Sequence, residues 1–241
     1  MCTLSWLPSV DGFTLHMNRD ERLSRVTGDP PEIWRVGAVQ FIAPKDQLGG
    51  GTWIGVNDWG LAVAVANRYP NPAPVPPTGP ISRGQLVTTA LACPDTNAVD
   101  EWLETIDCTD YQPFHLVVCG PEGPPHGTLW DGSVRTDVVH SEPGLVATSS
   151  SRDQEGAERS RRALFETATR AEGGLTDARL LELHRSRDPE PGPLAISMER
   201  SDAATVSMNT VRVTGAEVSF TYTPGPPHRT APLEPLVLQR A

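Results

Sequence analysis

The order of strand and helix patterns constrains the fold of this 241-residue chain more than any other feature. Strand patterns fall into three blocks, and two pairs of helical patterns separate them. The helical stretches are predicted near residues 83–92, 97–106, 154–171 and 176–186. Because strands and helices come in blocks rather than singly, we expect antiparallel sheets with helices packed outside them, and not a doubly wound parallel sheet.

Composition and length predict one globular domain over residues 1–241. Apolar residues make up 38% of the chain and charged residues 21%, and a chain of this length buries enough surface to need neither a metal nor disulfides. Residues 70–80 are rich in proline and are predicted to form a loop. The proline-rich tail from about residue 223 is expected to be loosely packed.

The sequence argues against several functional classes. The net charge of −10 opposes non-specific binding to nucleic acid, because phosphates would be repelled. No apolar stretch is long enough to span a membrane, and the first residues lack the features of a secretory signal. Four cysteines without disulfide or zinc spacing fit a reducing compartment, so a cytoplasmic location is expected. The six histidines show no metal-binding spacing, so no metal site is expected.

Cys2 is the residue with the most informative chemistry. Removal of Met1, which the small second residue permits, would leave Cys2 with a free α-amine beside its thiol. The α-amine has an ordinary pKa of about 7.7–8.0 and the thiol one of about 8.5, so the amine can accept the thiol proton at neutral pH. The alternative interpretation is that a cysteine stands at position 2 by chance and that its thiol is simply buried.

Two further polar features follow predicted strands. Asn18-Arg19-Asp20-Glu21 comes directly after the second strand, and a hairpin of the first two strands would bring position 2 near positions 16 to 19. A carboxylate there would stabilise a protonated amine, and a guanidinium would favour the thiolate. Asn67 ends an apolar strand, where its amide can donate to an oxyanion. The alternatives are a solvated turn and an ordinary strand-ending asparagine.

Several short segments, taken in order along the chain, resemble the NRDE family of transport-and-Golgi-organisation proteins. The segments are Met1–Leu4, Asn18–Glu21, Gly50–Val56 and Ser82–Gly84. The resemblance covers most of the chain, up to the late strands near residues 200–213. It implies an N-terminal nucleophile hydrolase-like fold, which is an α+β four-layer αββα sandwich of two antiparallel sheets. The block order of the predicted elements agrees with that fold.

The chain is also similar to the cholylglycine hydrolase and penicillin V acylase branch of these hydrolases. The similarity rests on Met1-Cys2-Thr3 and on residues 57–62 leading to Asn67. It implies that Cys2 is the catalytic nucleophile and that Asn67 helps to form the oxyanion hole. The acylases also carry an asparagine after a later strand, where Ser149 and Ser150 stand in this chain.

The acylase branch has an arginine, two variable residues and an aspartate at the end of the second strand. Aligned without gaps, those positions hold Asn18 and Glu21 here. A shift of one residue gives the catalytic roles to Arg19 and Asp20 instead, and we prefer this second assignment. An arginine late in the acylase chain corresponds to Arg200. The candidates for substrate binding are Asn18, Glu21, Trp53 and Arg200.

Two functions remain open at this point. The first is a cysteine amidohydrolase that cleaves a non-peptide carbon–nitrogen amide bond of a small molecule through a thioester, without a cofactor. The second is a non-catalytic protein on the same fold that binds and carries haem, an acyl lipid or acyl-coenzyme A, as the resemblance to a family linked with haem trafficking and lipid metabolism implies. In that case Cys2 or a histidine would be an axial ligand of the haem iron.

Overall fold

The computed structural model describes residues 2–190 and 192–241, and over these residues the chain forms 13 strands and four α-helices. The strands β1 to β13 are, in chain order, Cys2–Ser9, Gly12–Arg22, Asp29–Val36, Val39–Lys45, Ile54–Asn57, Ala62–Asn67, Phe114–Cys119, His126–Trp130, Arg135–Val139, Gly144–Thr148, Ala203–Val213, Glu217–Thr223 and Leu236–Gln239. The helices α1 to α4 are Arg83–Leu91, Thr96–Leu103, Gln154–Arg170 and Asp177–Arg185.

Two antiparallel sheets lie face to face, and helices cover both outer faces. The first sheet has the strand order β10-β1-β2-β11-β12-β13, and the second has the order β3-β4-β5-β6-β7-β8-β9. Side chains from both sheets, such as Leu15, Ile54 and Phe220, form the core between them. Helices α1 and α2 pack on the second sheet around Leu86, and α3 and α4 pack on the first sheet around Phe165. The predicted α+β four-layer αββα sandwich is confirmed.

The four helices lie close to their predicted positions. The residues that favour the start of a helix stand directly before it in the sequence, so they can be recognised without the fold. In α2, α3 and α4, the side chains of Asp95, Asp153 and Thr176 each accept a hydrogen bond from a main-chain N–H of the first turn. These bonds satisfy donors that have no partner within the helix. Ser82 occupies the corresponding position of α1, but its side chain makes no such bond.

The proline-rich tail is not loosely packed throughout, and that prediction is wrong. Leu236–Gln239 forms β13, which pairs with β12 and places Leu236 and Leu238 against the core. The main-chain nitrogen of Ala241 donates to the carbonyl oxygen of Asp58 at 2.8 Å. Two leucines spaced by one residue are sufficient for a short edge strand, because they point to the same face of the sheet.

The polar run Asn18–Glu21 lies inside a central strand rather than in a turn. Strand β2 continues to Arg22 and pairs with β1 on one side and with β11 on the other. Asn18, Arg19 and Asp20 are buried. The alternative interpretation of a solvated turn is therefore wrong. The run is tolerated in the interior because these side chains have polar partners within the protein.

Asn18 anchors the first sheet to α4 and its flanking segment. Its Nδ2 donates to the carbonyl oxygens of His184 and Ile196, at 2.8 and 3.0 Å. Its Oδ1 lies 3.1 Å from Nδ1 of His184, whose Nε2 is 2.8 Å from the hydroxyl oxygen of Ser5. Because the fully buried amide is committed to these bonds, Asn18 has no group left for a substrate. We therefore correct its assignment to substrate binding.

Acid is expected to destabilise this anchor. Burial holds the pKa of His184 well below its ordinary value, and the charges of His16 and Arg161 act in the same direction. An unfolded histidine binds a proton near pH ~6.5, so below that pH the unfolded state takes up more protons than the folded state. The free energy of unfolding should therefore fall as the pH drops below about 6.5.

Urea unfolding at neutral pH and at about pH 5.5 measures this loss. The variant His184→Gln is expected to be less stable at neutral pH and to lose less stability on acidification than the wild type. Burial lowers the pKa of His115 to about 3. His115 therefore contributes to the loss of stability in acid in both the wild type and His184→Gln. The control His126→Gln changes a partly exposed ring at the surface and should retain the wild-type loss. An identical pH dependence in wild type and His184→Gln would contradict the prediction.

Candidate active site

A cavity of about 230 Å³ lies where β1, β2 and β6 meet the start of α1. Most of the residues predicted for the site line it. They are Cys2, Arg19, Asp20, Glu21, Trp53 and Asn67. The structure brings these six together, whereas Asn18 and Arg200 lie outside the cavity. Three distant parts of the sequence thus converge on the thiol of Cys2.

Cys2 begins β1 and lies directly opposite Arg19 of β2. This register is the one that the predicted hairpin requires. Burial raises the pKa of the Cys2 thiol, Asp20 raises it further, and Arg19 and a hydrogen bond from the Asp20 main chain act in the opposite direction. Because the pKa is raised, the resting form at neutral pH is the thiol, and nucleophilic attack requires a base.

The main-chain nitrogen of Cys2 is held by Ser149, the residue that follows β10. That nitrogen donates to the Ser149 hydroxyl oxygen at 2.8 Å, and Ser149 in turn donates its own N–H to the Cys2 carbonyl oxygen at 2.9 Å. Ser149 is fully buried. If Met1 is removed, the nitrogen becomes the α-amine, and the same hydroxyl is in position to orient it. Sequence reasoning located Ser149 but gave it no role.

Arg19 is held at the cavity by Trp53 and Glu21. The guanidinium carbon of Arg19 lies 4.3 Å from the centroid of the Trp53 ring, and its Nη2 is 3.4 Å from Oε2 of Glu21. Stacking on an indole ring and pairing with a carboxylate restrict the orientation of the guanidinium. Trp53 and Glu21 therefore lie at the cavity, as predicted, and both also position Arg19.

Asp20, the next residue of β2, forms a buried ion pair with Arg161 of α3. Its Oδ1 accepts a hydrogen bond from the Thr205 hydroxyl at 2.6 Å, and its Oδ2 is 3.7 Å from Nη2 of Arg161. Both side chains of the pair are fully buried. Burial raises the pKa of Asp20, and the positive charge of Arg161 opposes that rise.

Arg161 is a buried residue beside the site that the sequence analysis did not single out. Its Nη1 donates to the hydroxyls of Thr3 and Thr148 at 2.9 and 2.8 Å, and its Nη2 donates to the carbonyl oxygen of Ala195 at 2.9 Å. It therefore ties α3 to β1, which carries Cys2, and to the neighbouring strand β10. The spacing could have shown that Arg161 is buried. It stands four residues before Phe165, and residues at that spacing lie on the same face of a helix.

Residues 1–187 match the model of the family described as Transport and Golgi organisation 2. The chain belongs to this family. The match includes β1, β2 and all the residues named above that line the cavity. No curated protein matches the sequence.

Solved structures share the fold of this family member at very low sequence identity. Penicillin V acylase from Agrobacterium tumefaciens aligns with a TM-score of 0.53 and 12% identity, covering 99% of this chain and 85% of that one. The C2A mutant of conjugated bile acid hydrolase from Clostridium perfringens aligns with a TM-score of 0.58 and 10% identity, covering 100% of this chain and 97% of that one. The chain therefore has the N-terminal nucleophile hydrolase-like fold.

Asn67 ends β6 and lines the cavity of this family member. Its Nδ2 donates to the hydroxyl oxygen of Tyr69 at 3.3 Å. Asn67 and Cys2 line the same cavity, so the amide is a candidate donor to an oxyanion formed at Cys2. Its role as that donor stays a prediction.

Arg200 does not line the cavity, and we correct its assignment to substrate binding. Its Nε and Nη2 donate to the two carboxylate oxygens of Asp202, at 2.9 and 3.0 Å. Its positive charge also lowers the pKa of Asp20, although burial of that carboxyl raises it more strongly. Arg200 therefore lies outside the cavity, and its charge reaches the site only as this effect on Asp20.

Two of the segments that resemble the family, Gly50–Val56 and Ser82–Gly84, pack main chain against main chain. The nitrogen of Thr52 donates to the carbonyl oxygen of Gly84 at 3.2 Å. A Cβ atom on Gly51 would lie 2.3 Å from the Gly84 carbonyl carbon, and one on Gly84 would lie 2.9 Å from the Thr52 carbonyl oxygen. Glycine is required at both positions for this approach. The contact fixes Arg83, the first residue of α1, at the cavity.

Neither a membrane-crossing helix nor a cluster of metal ligands is found in residues 2–190 and 192–241. No helix there combines the length and the apolar character needed to cross a bilayer. In the same residues, no three side chains of His, Cys, Asp or Glu come together to hold a metal ion. The four cysteines are free thiols.

Proposed function

We propose that this protein is an N-terminal cysteine amidohydrolase that cleaves a non-peptide carbon–nitrogen amide bond of a small molecule. The observation that supports this most is the situation of Cys2, which lines a cavity and has its main-chain nitrogen 2.8 Å from the Ser149 hydroxyl. Removal of Met1 gives one residue both the nucleophile and its base. The fold of the acylase and hydrolase structures agrees with the proposal without deciding the activity.

The proposed reaction passes through a thioester. The Cys2 α-amine takes the thiol proton, and the thiolate attacks the amide carbonyl carbon. Asn67 donates to the negative oxygen of the tetrahedral intermediate. The α-ammonium gives its proton to the leaving nitrogen, the carbon–nitrogen bond breaks, and the amine departs. Water, deprotonated by the α-amine, attacks the thioester, and the carboxylic acid leaves as the thiol forms again.

Arg19 and Asp20 set the charge around this reaction. The guanidinium of Arg19 favours the thiolate form of Cys2, and the carboxyl of Asp20 disfavours it. When the α-amine holds the proton, the same carboxylate stabilises the ammonium. Arg19 therefore favours the loss of the proton from sulfur, and Asp20 favours its residence on nitrogen.

The size of the cavity limits the substrate near the scissile bond. Its volume of about 230 Å³ equals roughly seven or eight water molecules in the liquid and lies below the usual range for drug-sized ligands. Arg83 and Gln112 also line a neighbouring cavity of about 940 Å³. A small amide fits the first cavity, and a longer substituent has room in the second.

The larger cavity favours a second candidate, the binding of an acyl ligand without turnover. Its wall is formed by the proline-rich segment after Tyr69 and by the start of α3. Of the two haem ligands that the sequence suggested, Cys2 lines the first cavity, but no histidine lines either cavity among the residues that the structure describes. An imidazole ligand to haem iron is therefore absent from both walls. We propose hydrolysis first, because acyl binding alone gives Cys2 no role.

Mass spectrometry of the intact protein tests the proposed function. We expect the mass to lack one methionine, and incubation with short N-acyl amides to add an acyl group that hydroxylamine removes, as a thioester requires. The modified peptide should contain Cys2. Full retention of Met1 would contradict the proposal, since the nitrogen of Cys2 would then lie in a peptide bond. Removal of Met1 without acylation or turnover would favour acyl binding.

A further inference from the structure

We propose that Arg83 binds a carboxylate of the substrate, so that the site acts on small amides that carry a negative charge. The claim that the bound molecule is hydrolysed rests on the proposed amidohydrolase function. The claim that Arg83 binds an anion depends only on the surroundings of Arg83. Arg83 is the first residue of α1 and lines the same cavity as Cys2.

The other charged side chains that line this cavity are paired with one another or, in the case of Asp20, with Arg161 behind the cavity wall. The pairs are Arg19 with Glu21 at 3.4 Å, Arg25 with Glu21 at 3.5 Å, Arg25 with Asp46 at 2.7 Å and Arg161 with Asp20 at 3.7 Å. Each carboxylate that lines the cavity thus has a cation within ion-pair distance. Arg83 has no place in these pairs.

Arg83 has no carboxylate at ion-pair distance within residues 2–190 and 192–241. Its Nη1 donates to the carbonyl oxygen of Pro113 at 2.8 Å, and its Nε and Nη2 have no hydrogen-bond partner in the described chain. At longer range, Tyr69 and Cys2 act on it more strongly than Glu21 does, and Glu21 is already engaged by Arg19 and Arg25. A half-buried guanidinium with free donors at a cavity wall is suited to bind an anion.

Two independent features add donors at the same cavity. Helix α1 begins there without an acidic residue in its first turn and without a side-chain cap from Ser82, so its positive end is not neutralised locally. Trp53 lines the same cavity with 6% of its surface exposed, and its buried Nε1–H has no hydrogen-bond partner among the described residues. A buried donor without an acceptor is unfavourable, and a bound carboxylate would supply acceptors.

The chemistry of the site favours a carboxylate over a phosphate. One guanidinium without an ion-pair partner matches one negative charge, whereas a phosphate monoester carries about 1.5 to 2 negative charges at neutral pH. The planar fork of arginine also matches the two oxygens of a carboxylate. The contact between Gly51 and Gly84 fixes the main chain beside Arg83, since Gly84 directly follows it.

Binding to the Cys2→Ala variant tests the anion site without turnover. Titration calorimetry compares N-acetylglycine with N-acetylglycinamide, and succinamate with succinamide. The first pair carries the carboxylate on the amine side of the scissile bond, and the second pair carries it on the acyl side. In at least one pair, we expect the carboxylate to bind about tenfold more tightly than the neutral amide.

In Arg83→Gln this preference should disappear, and in Arg83→Lys it should be reduced, because lysine keeps the charge but not the fork. The lysine variant gives the same information if Arg83→Gln does not fold, which circular dichroism shows. Arg162→Gln, on the exposed side of α3, is the matched control and should keep the full preference.

Equal affinities within both pairs, no binding of any probe, or a preference that survives in Arg83→Gln overturns the anion site. A carboxylate preference in Cys2→Ala, combined with no turnover by the wild type, supports the anion site and contradicts the amidohydrolase. Turnover of neutral amides as rapid as that of the carboxylates supports the amidohydrolase and contradicts the anion site.

Discussion

Cys2→Ala is expected to lose amide hydrolysis by about 10⁴-fold or more and to keep the fold. In the proposed mechanism the sulfur forms the covalent bond to the acyl group, and alanine offers no atom that replaces it. Alanine is also a small second residue, so the removal of Met1 continues and the α-amine remains. The loss therefore reports on the sulfur and not on the amine.

The fold should survive because the Cys2 side chain is small. It is buried, with 7% of its surface exposed, and loss of one sulfur atom costs about 1 kcal/mol of the free energy of unfolding. Product formation and thermal melting are measured together. Cys93→Ala is the matched control, since Cys93 is a free, partly buried cysteine outside the cavity and its loss should change neither. Unchanged turnover in Cys2→Ala would falsify the assignment of the nucleophile.

Local sequence rules were sufficient for the parts of the site that neighbouring strands build. The turn between β1 and β2 fixes the register that sets Cys2 opposite Arg19. The turn after β5 is equally local, because Oδ1 of Asn57 accepts hydrogen bonds from the main-chain N–H groups of Trp59 and Leu61, and Gly60 has a φ of +85°. That turn directs β6 back along β5, and Asn67 follows at its end.

The burial of the polar run inside β2 could not be predicted, because its partners come from distant parts of the sequence. A run of amide and charged side chains is typical of a strand end, since such residues are depleted in strands. Here Asn18 is bound by His184, and Asp20 by Thr205, residues more than 160 positions away. The resemblance to the family identified the run as important, but the role of Asn18 in structure rather than in binding follows from the fold.

Arg161→Met is expected to lower the free energy of unfolding by about 3–5 kcal/mol, the usual loss when one partner of a buried ion pair is removed. Methionine fills a similar volume but provides no donors. The hydroxyls of Thr3 and Thr148 and the carbonyl oxygen of Ala195 lose their bonds, and Asp20 loses a positive charge 3.7 Å away. Urea unfolding measures the change.

The next residue of α3 provides the control. Arg162 is about half exposed, and its guanidinium pairs with Glu158 one turn earlier at the surface. Arg162→Met should change the free energy of unfolding by less than about 0.5 kcal/mol, because exposed helical ion pairs contribute little. Equal losses in the two variants would mean that burial of Arg161 has no energetic consequence.

The variant Asp20→Asn separates the ion pair from the other bonds of Arg161. Asparagine keeps an acceptor for the Thr205 hydroxyl and removes the negative charge. If the charge is the main contribution, Arg161→Met should cost about 1–3 kcal/mol less in the Asp20→Asn background than in the wild type. If the two losses add, the bonds of Arg161 to hydroxyl and carbonyl oxygens, and not its charge, hold α3 against the strands that carry the nucleophile.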